Sequence, residues 1–145
     1  MVTDYQHIVA KLPYEKPFLF VDAITDVSDD SIEGHYTFDE NLDFYKGHFK
    51  GNPVTPGVIL TETVAQIGVV CLGIYLLGDS LNEHTKIALS SIEIEYLSPV
   101  FPGEKVTVIG KKIYFRFGKL KCTVSMRNTA GNEVCHGTIA GIITD

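Results

Sequence analysis

Two residues in this chain have the types and setting for acid–base chemistry. His48 sits in a turn rich in Gly and Pro, and Glu62 follows it fourteen positions later. Glu62 is the only charged residue between Lys50 and Asp79. A carboxyl among Val58, Ile59, Leu60, Val64, Ala65 and Ile67 loses hydration when ionised, so its pKa is expected to rise. A protonated carboxyl near neutral pH can donate, and a neutral imidazole can accept. Such a pair, held in contrasting environments, can do both halves of an acid–base reaction at one site.

A helix has to present Glu62. Thr55 reads as its N-cap and Pro56 as its first helical residue, where the missing N–H is harmless. Apolar residues then continue on every face to Leu77, and Gly78-Asp79-Ser80 closes the element. A helix apolar all round is wrapped by other structure. Its uninterrupted apolar part, Ile67–Leu77, is eleven residues long, whereas a membrane span needs about 20. The expectation is a core helix, with no membrane. At the helix start, the Gly57 amide has no intrahelical acceptor and no side chain beside it. It is a candidate donor to a substrate carbonyl, with Val58 next to it. Gln66 lies one turn after Glu62 and can reach it.

The remaining chain reads mainly as strands. Asp4–Lys11 is expected to form a short helix, and Leu12–Pro17, with two prolines, an irregular segment. Phe18–Val27 is rich in Phe, Val and Ile and is expected as a strand; Ser31–Phe38 alternates apolar and polar residues. Asp39–Pro53 is expected as loop. Strands are expected around Ile92–Tyr96, over Lys105–Phe117, through Leu120–Met126 and over Val134–Thr144. Pro102-Gly103, Phe117-Gly118-Lys119 and Ala130-Gly131 supply turns. The resulting class is α+β, an antiparallel sheet around one long helix, in a single domain over residues 1–145.

Composition narrows the function. The chain has 145 residues, 45% hydrophobic and 21% charged, with net charge −6, which argues against nucleic-acid binding. Cys71, Cys122 and Cys135 form no CxxC spacing and are expected as reduced thiols of a cytoplasmic protein without a signal peptide. His7, His35, His84 and His136 have no metal-ligand spacing, and no nucleotide-binding fingerprint occurs, so no metal and no cofactor are expected. One charge feature stands apart. Seven of the twelve basic residues fall between Lys105 and Arg127, with no acid before Glu133.

The segment Gly47-His48-Phe49, Pro53, Pro56-Gly57-Val58, Glu62 and Ala65-Gln66 resembles the active-site motif of the β-hydroxyacyl-acyl-carrier-protein dehydratases of the FabZ type, in the hot-dog superfamily. Leu12-Pro13 with Pro17-Phe18-Leu19-Phe20-Val21-Asp22 resembles the family's N-terminal segment. Ser98-Pro99-Val100-Phe101-Pro102-Gly103 is similar to one of its turns. The resemblance implies a hot-dog fold and dehydration of 3-hydroxyacyl thioesters to trans-2-enoyl thioesters without a cofactor. His48 is then the base and Glu62 the acid, paired across a homodimer or higher homo-oligomer. The family's isomerising branch carries Asp at the Glu62 position, so no double-bond migration is expected. It also implies an acyl carrier protein as partner. Because carrier proteins are acidic, Lys111, Lys112, Arg116, Lys119 and Lys121 become candidate docking residues. Lys50, Tyr14-Glu15 and Cys135-His136 depart from the family pattern and leave two settings open, fatty-acid biosynthesis and a related acyl-chain route such as pigment or polyketide synthesis. The rival readings are a hot-dog thioesterase and a non-catalytic subunit that binds acyl chains or carriers.

Overall fold

The computed structural model describes residues 5–144. Six strands form one antiparallel sheet in the order β1-β2-β4-β5-β6-β3. They are β1 (Ala23–Val27), β2 (Ser31–Thr37), β3 (Lys86–Tyr96), β4 (Lys105–Arg116), β5 (Lys119–Arg127) and β6 (Glu133–Thr144). A short helix α1 (Gln6–Ala10) precedes them. The central helix runs as α2 (Gly57–Ala65), a wider π turn (Gln66–Val70) and α3 (Cys71–Leu77). This is the hot-dog arrangement, in which the sheet curls around the helix.

The alternation read from the sequence sets the register. Val106, Val108, Leu120, Cys122, Val124 and Met126 are all buried on the face toward the helix. The helix lies so close to the sheet that side chains are excluded where the two cross. A Cβ on Gly110 of β4 would stand 2.7 Å from the Gly68 Cα. Gly68 lies in the π turn, so the crossing point and the widened turn coincide. The stretch Gly57–Ser80 is long and apolar enough to cross a membrane, yet 72% of its most apolar window is buried inside the protein. It is the core, as its all-round apolar character predicts.

Several boundaries differ from expectation. Asp4 lies outside the described residues. Of Phe18–Val27, only Ala23–Val27 is strand. The backbone at Phe18 and Phe20 hydrogen-bonds the Gln66 side chain, so it follows the helix and not a neighbouring strand. The helix begins at Gly57, with extended Pro56 (φ −60°, ψ 140°) as its cap. Thr55 does not cap it, because its hydroxyl is engaged with Tyr45 at 2.6 Å. The loop Asp39–Pro53 contains one 3-10 turn, Asp43–Lys46.

Candidate active site

His48 is held by its own loop. Its N–H reaches Phe44 O at 3.1 Å, and its carbonyl accepts the Val54 N–H at 2.9 Å. The imidazole Nδ1 lies 2.8 Å from Val54 O. A carbonyl only accepts, so in the neutral imidazole the proton sits on Nδ1 and the lone pair on Nε2. The Phe49 ring stacks on the imidazole with centroids 4.0 Å apart. The loop is fastened to the helix start by the buried Tyr45–Thr55 hydroxyl pair and by Thr55 N–H to Val100 O at 2.9 Å.

Glu62 is half-buried on α2. Burial raises its pKa above the ordinary carboxylate value, and a hydrogen bond from Gln66 partly opposes the rise. Gln66 Nε2 donates to Glu62 Oε2 at 2.9 Å and to Phe18 O at 3.1 Å, while its Oε1 accepts the Phe20 N–H at 2.8 Å. The amide is fully buried and fully paired. It fixes the carboxylate to the backbone of the segment before β1. Tyr14 covers the same region. Its phenol is pushed up to about 12, mainly by burial and next by the charge of Glu62, so it stays protonated beside the carboxyl.

At the helix start, Pro56 O accepts from Ile59 and Leu60, so the Gly57 and Val58 amides precede the first helical hydrogen bonds. Val58 is 74% exposed, an unusual place for valine on a core helix. The site thus presents a free imidazole nitrogen, a carboxyl inclined to hold its proton, and open helix-terminal amides. Among the described residues, no hydrogen bond or ion pair joins His48 to Glu62 within the chain. No cluster of three His, Cys, Asp or Glu there is placed to hold a metal ion. The three cysteines are free and buried, and burial pushes the Cys122 and Cys135 thiols up to about 12.

The basic hairpin is partly gathered. Register places Lys121 opposite Tyr114 and Lys119 opposite Arg116, and Arg116 stacks over the Tyr114 ring at 4.5 Å. Among the described residues, Lys111, Arg116, Lys119 and Lys121 have no carboxylate partner, whereas Lys112 pairs with Asp30 at 3.7 Å. The hairpin tip lies at the far end of the sheet from Gly57. Tyr96 pairs with Cys135 beside Met126, while Arg116 pairs with Lys119 beside Ile142. Strand rise puts these ends about 25 Å apart. The sequence reading did not single out Tyr14, Tyr45, Thr55, Thr61 or Tyr96 as parts of the site. Only Tyr14 carried a signal, as a departure from the family segment.

Residues 12–132 match the family model described as a FabA-like domain. A 3-hydroxyacyl-[acyl-carrier-protein] dehydratase FabZ from Nitratidesulfovibrio vulgaris is 35% identical over 107 residues, covering 72% of this chain and 68% of its own. The protein of the same name from Wolbachia pipientis of Culex pipiens is 31% identical, covering 100% and 99%. Among solved structures, a mutant thioesterase from Pseudomonas aeruginosa superposes with TM-score 0.71 at 12% identity, over 99% of this chain and 96% of its own. A hypothetical thioesterase from Streptococcus pneumoniae, solved with coenzyme A, gives 0.62 at 18% identity, over 83% and 84%. At such identities these structures share the fold alone.

Proposed function

Because the chain belongs to the FabA-like family, we propose that it dehydrates 3-hydroxyacyl thioesters, carried on an acyl carrier protein, to trans-2-enoyl thioesters. The observation that carries the reading is the contrast between its two titratable groups. In neutral His48 the Nδ1–H donates to Val54 O, which fixes the tautomer that turns the Nε2 lone pair outward as a base. Glu62 is driven toward its protonated form by burial.

The chemistry follows from these states. The Gly57 amide receives the thioester carbonyl at the helix N-terminus, where enolate charge develops. His48 Nε2 takes the α-proton. Glu62 gives its proton to the β-hydroxyl, which leaves as water, and the α,β double bond forms. The cycle ends with His48 protonated and Glu62 ionised, and solvent exchange resets both. Activity therefore needs neutral His48 and protonated Glu62, which gives a bell-shaped pH profile. The alkaline limb belongs to Glu62.

Within one chain the two groups are not joined, and β3 is an eleven-residue edge strand. Ile92, Tyr96 and Leu97 near its end are about half exposed. These features support completion of the site by a second copy, with His48 of one protomer facing the Glu62 carboxyl of the other. The unpaired cations of the β4–β5 hairpin support docking of an acidic carrier. Their distance from Gly57 in the same protomer makes them a steering surface, acting through long-range field.

The test is an assay of the purified protein with a 3-hydroxybutyryl group on an acyl carrier protein, following enoyl product and free thiol in parallel. His48→Ala and Glu62→Gln should each reduce turnover about a hundred- to ten-thousand-fold. Thiol release without enoyl product would replace dehydration by thioester hydrolysis. Full activity in either variant would remove that residue from the chemistry.

A further inference from the structure

Tyr96 ends β3 with its ring against the first turn of α2. A Cβ on Gly57 would lie 3.3 Å from the Cε1 and Cζ atoms of that ring. The ring therefore packs closely on position 57, where a side chain would be held only if the ring gave way by a few tenths of an ångström. Its hydroxyl is hydrogen-bonded to Thr61 Oγ1, four residues on and so on the same helix face. The strand end is itself anchored, since Leu97 and Ser98 both donate to Val134 O, at 2.8 and 3.2 Å. Thr55, two residues before Gly57, donates to Val100 O. The backbone before Gly57 is thus tied to the segment that follows β3, and the Thr61 side chain after it to the end of β3.

The contact is not part of the core. Tyr96 is 49% exposed and lies outside the buried cluster that forms the core. The ring and its hydroxyl touch the turn that carries both the Gly57 amide and, one residue past Thr61, Glu62. A misplacement of about 1 Å in a group that meets the reacting atoms can cost a hundredfold in rate.

We propose that Tyr96, with Thr61 as its anchor, is a positioning residue that fixes the Gly57 amide relative to Glu62. The inference rests on the reading of Gly57 as the carbonyl-binding amide. It is tested with Tyr96→Ala, Tyr96→Phe and Thr61→Val, by steady-state kinetics on a 3-hydroxybutyryl thioester. The second readout is the infrared carbonyl band of bound crotonyl thioester, which reports polarisation by the amide without turnover. In Tyr96→Ala, kcat should fall about tenfold or more while KM stays within about threefold, and the band should move back toward its position in free thioester. Tyr96→Phe and Thr61→Val should show smaller, equal losses that do not add in the double variant. Wild-type kcat and band position in Tyr96→Ala would overturn the proposal, as would a rise in KM alone. If Tyr96→Ala does not fold, unchanged kcat and band in both other variants would overturn it equally. If the wild-type protein forms no enoyl product and leaves the bound carbonyl unshifted, the dehydratase reading fails and this inference falls with it. An active wild type with indistinguishable variants removes only the role of Tyr96.

Discussion

Replacing Gln66 by Leu should uncouple Glu62 from its support at a calculable cost. The substitution nearly preserves volume, so packing changes little. It removes three hydrogen bonds, to Glu62 Oε2, Phe18 O and Phe20 N. The three losses are unequal. Phe18 is 48% exposed, so water can satisfy its carbonyl, whereas Phe20 is 1% exposed and its N–H is stranded. A stranded buried donor costs about 1–3 kcal/mol, and a lost bond to a half-buried carboxyl adds about 1 kcal/mol. The expected destabilisation is about 2–4 kcal/mol, which lowers Tm by about 6–14 °C in a chain of this size. Chemical denaturation at fixed protein concentration measures it. The same change shifts the pH profile. Gln66 holds the Glu62 pKa down against burial, so its removal lets that pKa rise further. The protonated acid then persists to higher pH, and the alkaline limb of kcat/KM moves up. Gln66→Glu links the two effects. It keeps an acceptor for Phe20 N–H but buries a second carboxyl beside Glu62, so the limb should move up with a loss of stability that deepens as pH rises. An unchanged denaturation midpoint together with an unmoved limb in Gln66→Leu would refute this account.

Other consequences are simpler. Gly110→Ala should destabilise the fold by about 1–3 kcal/mol or more, because the added Cβ meets the Gly68 backbone, which cannot rotate away; thermal unfolding of the variant checks this. Tyr45→Phe should cost about 1 kcal/mol in denaturation and lower kcat without shifting the alkaline limb, since it loosens the His48 loop and does not touch Glu62. Stability itself should decline as pH rises from the ordinary carboxylate range through the raised pKa of Glu62, because the folded state holds that proton more tightly than the unfolded chain; Glu62→Gln should flatten this decline in a pH series of urea midpoints. Arg116→Glu with Lys119→Glu should raise KM for carrier-borne substrate at low salt and leave a small pantetheine thioester unaffected; equal kinetics on the carrier substrate would remove the steering role.

Sequence by itself determined the parts whose signal is local. The all-round apolar run from Val58 to Leu77 required a wrapped helix, and period-two alternation from Lys105 onward required strands with one buried face. Glu62, alone among apolar neighbours, announced its raised pKa, and Gln66 one turn later announced its partner. His48, Gly57 and Glu62 could be named as candidates because motif and spacing keep them within one short segment. What the sequence left open depends on which distant backbones meet. Phe18–Val21 has strand composition but is not strand, because the buried Gln66 amide, 46 residues away from Phe20, takes the Phe20 N–H and the Phe18 carbonyl. Thr55 has the composition of a cap, yet Tyr45 takes its hydroxyl. Tyr96 reaches Thr61 across 35 residues, and no periodicity encodes that contact. A hydroxyl or an amide has several possible partners of similar strength along the chain. The tertiary arrangement chooses among them, because burial makes any polar group left unpaired the costliest outcome.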